Sequence, residues 1–358
     1  MKKIIILIII LLFPLKVSAV SASSIIAMDL DNGRVLYGYN LDEKRLIAST
    51  TKIMTAIIAI ENSDINRKIV VTDVIYKAFG SSIYIEVGEE LTIKDLLYGL
   101  LLRSGNDASL VIAKEVFGSE EEFVYKMNEY ASNLNMNNTI FYNPHGLEEN
   151  DGRGNTSTVR DMAKLTKYAM NNSIFREIVK TKKYTVKTNY KTYVWHNKNK
   201  LLNLDYITGG KTGYTEKSRR TLVSTGSKDN INIVVVTLND PDDWLDHKKT
   251  YENIFNKYKS YKIIIKNKFK INDESYYKKD KLYIKNDYYM TLTKEELKKV
   301  SLNIKLMKID DYVDDTNVGY IEVVLDNEIY HREPIYVRKN KEVKLSNWEK
   351  LKRWINKW

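Results

Sequence analysis

The sequence predicts an α+β fold: an antiparallel sheet covered by helices, then a small all-β domain and a C-terminal amphipathic helix. Three observations predict it. Strand-like alternation appears at both ends of the first 258 residues, helical periodicity fills the middle, and residues 259–340 change to a Lys-, Tyr- and Ile-rich strand pattern.

The elements follow in order. Residues 1–19, "MKKIIILIIILLFPLKVSA", join a basic start to a short apolar run and end in Val17-Ser18-Ala19. This is the pattern of an export signal, and it falls short of the roughly 20 apolar residues that a spanning helix needs. "SSIIAMDLDNGRVLYGYN" alternates around Asp31-Asn32-Gly33 and predicts a hairpin. "LIASTTKIMTAIIAIEN", Leu46 to Asn62, reads as a buried helix. Helical spacing then continues to about residue 180, with Thr92 and Ser119 as expected N-caps. "GGKTGYT", "RTLVSTGSK" and "INIVVVTLND" predict strands, the last two joined at Asp229-Asn230, and "DDWLDHKKTYENIFNKY" returns to helix. The first domain is expected to close near Tyr258. In 259–340 a further hairpin is expected through Asp326-Asn327. In the tail, 345–358, Trp348, Leu351, Ile355 and Trp358 form a helical stripe among lysines, the makeup of a helix lying at a lipid interface.

Composition excludes several chemistries. The chain of 358 residues contains no cysteine, which removes disulfides, thiolate metal sites and thiol catalysis. Its four histidines lack paired ligand spacing, so neither a metal nor another cofactor is expected. The net charge of +11 suits a polyanion. With an export signal, that partner is expected to be anionic lipid or wall polymer, not nucleic acid.

The chemistry centres on Ser49 and Lys52. Three residues along a helix bring both side chains onto one face. A hydroxyl becomes nucleophilic when a base takes its proton, and an apolar wall lets a lysine act as that base by disfavouring its charged form. Alone, Ser-x-x-Lys fits equally an N-cap and a snorkelling lysine. Ser104-Gly105-Asn106 falls at a break between helices, where hydroxyl and amide can face a pocket. Lys211-Thr212-Gly213 lies on a strand whose edge can bind an extended substrate and whose lysine attracts a carboxylate. Together, in this order, these three make the set used by penicillin-recognising serine enzymes.

On these residues the chain resembles the low-molecular-weight penicillin-binding proteins, the D-alanyl-D-alanine carboxypeptidases of peptidase family S11. The likeness extends over about residues 20–258 and includes "NPHGL" (Asn143 to Leu147) and "STVRDMAKLTKYAM". "KTGYTEKSRRTLVS" looks closest to Gram-positive vegetative or sporulation enzymes. The resemblance implies a β-lactamase/transpeptidase-like fold, a peptidoglycan stem peptide as substrate and β-lactams as inhibitors. It implies that Ser49 is acylated, Lys52 takes its proton, and Ser104 relays a proton to the leaving amine. Asn106 would hold Lys52 and the substrate amide, and Lys211 with Thr212 would bind the terminal carboxylate. Gly213 completes that motif, and the backbone N–H groups of Ser49 and Tyr214 would form the oxyanion hole. It also implies an exported protein held peripherally at the outer leaflet by its tail. Two positions depart from the pattern: Tyr214 replaces a frequent histidine, and Gly210 a usual aliphatic residue. A β-lactamase, a stalled penicillin sensor and a transpeptidase or endopeptidase share the motifs. Against the first, no Glu-x-x-Leu-Asn segment separates the second and third motifs.

Overall fold

A computed structural model describes residues 20–149, 151–266, 268, 271, 276–340 and 355. The expected export signal and, apart from Ile355, the expected tail helix lie outside them. The chain divides into two compact units between Lys257 and Tyr258.

The first unit is built on a five-stranded antiparallel sheet. Its strands are β1 (Ser24–Asp29), β2 (Val35–Tyr39), β3 (Ile207–Thr215), β4 (Arg219–Lys228) and β5 (Ile231–Leu238), in the order β2-β1-β5-β4-β3. Chain ends meet in the middle: Ser24 pairs with Leu238 and Asp29 with Ile233. The β4–β5 turn uses Asp229 and Asn230, both at positive φ (52° and 60°), the geometry that matches strand twist in a two-residue hairpin. β5 is apolar without alternation because both faces are covered. Val234 and Val236 point into the main core, while Thr237 on the opposite face meets His247 of helix Asp243–Lys257 at 3.1 Å. His247 also bonds Ser224 Oγ (2.7 Å), and full burial pushes its pKa down to about 3.

Helix Lys52–Asn62 runs through the centre of the unit, buried continuously from Lys52 to Ile60, as its apolar circumference requires. Thr92 and Ser119 are N-caps, accepting from the Asp95 and Glu122 N–H groups; Thr92 and Asp95 form a capping box. One expectation needs correction. The helix starts at Lys52, not Leu46, because Leu46 pairs as a short strand with Thr156 and Ala48–Thr51 forms a 3-10 turn. Residues 183–196, unassigned from sequence, form a hairpin of Lys183–Lys187 with Thr192–His196.

The second unit contains a four-stranded antiparallel sheet of β6 (Lys281–Ile284), β7 (Ser301–Leu306), β8 (Asn317–Leu325) and β9 (Glu328–Arg338), in the order β6-β9-β8-β7. Asp326 and Asn327, at φ 49° and 67°, make the expected hairpin turn. Ile284, Ile321, Val323, Ile335 and Val337 form its core.

Gly210 explains its own departure from an aliphatic residue. Its φ is +150°, and a Cβ there would lie 2.3 Å from the Val223 carbonyl oxygen on the paired strand. Gly210→Ala is therefore expected to destabilise the protein by about 1–3 kcal/mol, read as a lower urea midpoint at unchanged slope.

Candidate active site

The 3-10 turn sets the first contact. In such a turn residues i and i+3 eclipse, so Ser49 lies directly beside Lys52. The Lys52 Nζ is 3.1 Å from Ser49 Oγ, 2.7 Å from Asn106 Oδ1 and 2.6 Å from the His145 carbonyl oxygen. Lys52 is fully buried. Burial, then the positive charges of Lys211 and Lys198, hold its pKa well below that of an ordinary lysine.

The second element is shaped by a π-helical turn, Gly99–Arg103, that ends on Ser104 in the left-handed conformation (φ 68°). Asn106 then begins helix Asn106–Phe117, presenting Oδ1 to Lys52 and donating Nδ2–H to the Phe79 carbonyl (2.6 Å). Asp107 ties down the facing segment: its carboxylate accepts from Ser82 Oγ and from the N–H groups of Ile83 (3.1 Å) and Tyr84 (2.9 Å).

The third element is β3, an edge strand. Lys211, 2% exposed, donates to Ser104 Oγ (3.1 Å) and to the Thr212 carbonyl (2.6 Å). Burial, then Lys198, pushes its pKa down to about 7. Gly213 lets the strand close on the nucleophile turn: a Cβ there would be 3.0 Å from the Ser49 nitrogen and 2.3 Å from Thr221 Oγ1. Thr221 in turn donates to the Ile47 carbonyl (3.2 Å). Tyr214 is 59% exposed, so its ring is free of the packing that fixes its backbone.

All eight residues singled out from sequence (Ser49, Lys52, Ser104, Asn106, Lys211, Thr212, Gly213 and Tyr214) are thus gathered at one place. A groove of about 500 Å³ opens there, lined by Ser49, Ser104, Thr212, Gly213 and Tyr214. Lys52 lies beneath it. Sequence reasoning missed other parts of the wall. Lys198 and Ser81 (3.3 Å apart) line it, as do Arg220, Asp243 and Trp244. Arg220 donates to Asp243 Oδ1 (2.5 Å), stacks 5.6 Å from the Trp244 ring, and its buried Nε has no hydrogen-bond partner among the described residues. Arg220 pairs with Tyr214 in register, so it shares a sheet face with Thr212 and Tyr214.

The loop Asn143–Leu147 was legible as a motif but not as a contact. Thr55 Oγ1 donates to the Pro144 carbonyl (2.6 Å), and Asn155 Nδ2 donates to Thr51 Oγ1 (3.0 Å) and the Asn143 carbonyl (2.9 Å). His145 contributes its carbonyl; its ring, held near pKa 3 by burial and by Lys52, is neutral. Gly146 has φ 90°, and a Cβ there would lie 2.0 Å from the Ala48 carbonyl oxygen. Gly146→Ala is expected to displace the nucleophile turn and slow penicillin acylation about a hundredfold, measured by single-turnover labelling, with the far-ultraviolet circular dichroism spectrum retained.

A family model described as D-alanyl-D-alanine carboxypeptidase, peptidase S11, matches residues 14–242, and one described as the penicillin-binding protein 5 C-terminal domain matches 258–343. The chain is 36% identical over 222 residues to D-alanyl-D-alanine carboxypeptidase DacF of Bacillus subtilis, covering 60% of this chain and 56% of that protein. It is 37% identical to a D-alanyl-D-alanine carboxypeptidase of Streptomyces sp. strain K15, covering 56% of this chain and 75% of that one. The solved Streptomyces K15 DD-transpeptidase superposes with a TM-score of 0.63 at 31% identity, over 66% of this chain and 98% of that one. Penicillin-binding protein 5 of Haemophilus influenzae reaches 0.74 at 23% identity, over 90% of this chain and 98% of that chain, a likeness of fold. The chain belongs to the D-alanyl-D-alanine carboxypeptidase family, peptidase S11.

Proposed function

We propose that the protein is a serine D-alanyl-D-alanine carboxypeptidase, removing the terminal D-alanine from peptidoglycan pentapeptide stems through an acyl-enzyme on Ser49. The observation that carries this reading is the surroundings of the Lys52 nitrogen. A neutral amine has two N–H donors and one lone pair. The Asn106 and His145 oxygens, at 2.7 and 2.6 Å, take both donors. The lone pair is left for the third neighbour, the Ser49 hydroxyl at 3.1 Å. Burial, which lowers its pKa well below that of an ordinary lysine, favours that form.

The steps follow from these contacts. Ser49 Oγ attacks the penultimate D-alanine carbonyl as its proton moves to Lys52 Nζ. The oxyanion is met by the Ser49 and Tyr214 backbone N–H groups; one such donor is worth about 3 kcal/mol of barrier. The C–N bond breaks, a proton reaches the leaving nitrogen through Ser104, and D-alanine departs. Water then cleaves the ester. A β-lactam enters the same way, but its leaving nitrogen stays tethered.

Carboxylate recognition is shared. The buried Lys211 ammonium is bound to Ser104 and the Thr212 carbonyl, so it supplies field, while Thr212 and Arg220 on the groove face supply donors. Export by residues 1–19 and anchoring by the basic, Trp-rich tail belong to the same reading, because the substrate lies outside the cytoplasmic membrane; both rest on sequence pattern. No helix among the described residues is long and apolar enough to cross a membrane.

Incubation with a diacyl-D-Ala-D-Ala peptide is expected to release free D-alanine, and Ser49→Ala to abolish both release and penicillin labelling. Because one similar solved protein is a DD-transpeptidase, a glycine acceptor is added in parallel; transfer exceeding release would overturn the hydrolytic assignment. Since the base must be unprotonated, kcat/KM should rise with pH, with its midpoint well below the ordinary lysine value. Lys52→Arg, protonated throughout, should lose acylation.

Arg220→Gln is expected to lower kcat/KM about tenfold or more, mainly through KM. A substrate ending in a carboxamide should show no such dependence on Arg220.

A further inference from the structure

One face of the second unit's four-stranded sheet is a row of tyrosines under cations. Tyr283 and Tyr336 pair across β6 and β9 with ring centres 5.9 Å apart. The Arg338 guanidinium lies 4.9 Å from the Tyr283 ring and the Lys285 ammonium 3.9 Å from the Tyr336 ring. Along β9, alternation places Arg332, Pro334, Tyr336 and Arg338 on this same face. One strand further, Tyr320 pairs with Pro334, and its ring is met by Arg332 at 5.4 Å and Lys305 at 5.9 Å. With Lys281, opposite Arg338, the face holds five cations. Its one acidic side chain among the described residues, Glu322, is 3% exposed and already bonded to Lys305 and Arg332, each at 3.1 Å.

This arrangement exceeds what packing needs. The hydrophobic side of the sheet is the opposite one, where Ile284, Ile321 and Ile335 are buried. On the tyrosine face the rings fix the cations by cation–π attraction, so their charge is held in place before any ligand arrives. The two cations of this face on β9, Arg332 and Arg338, are six residues apart, about 20 Å along the strand, so one extended polyphosphodiester chain can reach both, with intermediate phosphates free for the neighbouring lysines. Arginine forks suit phosphate oxygens, and the half-buried tyrosine rings between them offer apolar edges to polyol or sugar carbons.

We propose that this face binds a linear polyphosphodiester of the cell wall. The inference rests on the extracellular location argued under the proposed function. Charge selects the occupant. The chain's own tail, 341–358, has six Lys or Arg against two Glu, and a second copy of the chain carries +11, so both are repelled. An anionic bilayer calls for inserted Trp, Phe or Leu, and the row Arg332 to Arg338 offers none.

The test uses the full chain and a fluorescent, lipid-free poly(glycerol phosphate), followed by anisotropy. Binding should weaken with salt and fall about tenfold or more in the exposed double variant Lys285→Gln/Arg338→Gln. Tyr336→Ala should also weaken it at unchanged charge. If Tyr336→Ala does not fold, the double variant decides. D-Alanine release from a soluble peptide is read on the same samples and should be unchanged, so failure of this site and failure of the enzymatic reading are told apart. No polymer binding, or equal binding by the double variant, overturns the proposal. So does equally tight binding of polyglutamate, or a variant-sensitive affinity seen only with phosphatidylglycerol vesicles.

Discussion

The active site depends on one count of hydrogens. Lys52 Nζ has three oxygen neighbours, and an ammonium could donate to all three. Were that the resting state, the Ser49 hydroxyl would have no base. Burial decides between the two forms. A fully enclosed ammonium loses its hydration, and the positive charges of Lys211 and Lys198 oppose it further, so the neutral amine is favoured. Two fixed carbonyl-type oxygens then use up its hydrogens. The apolar helix that looks inhospitable to a lysine is the means of making it a base.

Holding this geometry requires three chain segments to approach more closely than side chains allow. Gly146 meets the Ala48 carbonyl, Gly213 meets the Ser49 nitrogen, and Gly210 meets the Val223 carbonyl. Ala48, at φ 45°, is kept in an unfavourable conformation by these neighbours: Ile47 N–H bonds the Asn155 carbonyl (3.1 Å), and the Ile47 carbonyl accepts from Thr221 and Thr50. Strain at the nucleophile turn is thus carried by a rigid surround. Ser104, at φ 68°, is the matching case on the facing wall.

What could be read from sequence was whatever side-chain type or periodicity encodes. β5 announced itself as a strand, Thr92 and Ser119 as caps, Asp326-Asn327 as a turn, and the three motifs as a site. The true start of helix Lys52–Asn62 was hidden because the positive φ at Ala48 is imposed by contacts from residues 146, 155 and 221, which no local pattern carries. The His145 carbonyl was hidden for a different reason: every residue has one, so a backbone acceptor has no signature of its own. Arg220, although within the stretch KTGYTEKSRRTLVS, and Asp243 reach the groove through strand register and the start of a helix, placements that residue type alone does not encode. Hairpin 183–196 was passed over although Tyr193 and Trp195 are buried on alternate positions, a period-two signal that was present.

The charge of +11 then separates into two physical kinds. In the first unit, two lysines of the site sit where charge is costly and are put to opposite uses in the proposed mechanism: Lys52, fully buried, serves as a neutral base, and Lys211, nearly as buried, supplies positive field. In the second unit, Lys285, Arg332 and Arg338 are exposed and held over rings, where their positive charge faces solvent. Net charge alone cannot distinguish these, because it counts a buried amine and a solvated one alike. The distinction also predicts which lysines tolerate exchange for arginine. Those over tyrosines keep their function, since a guanidinium stacks as well, whereas Lys52 cannot be exchanged, since its role is to be neutral.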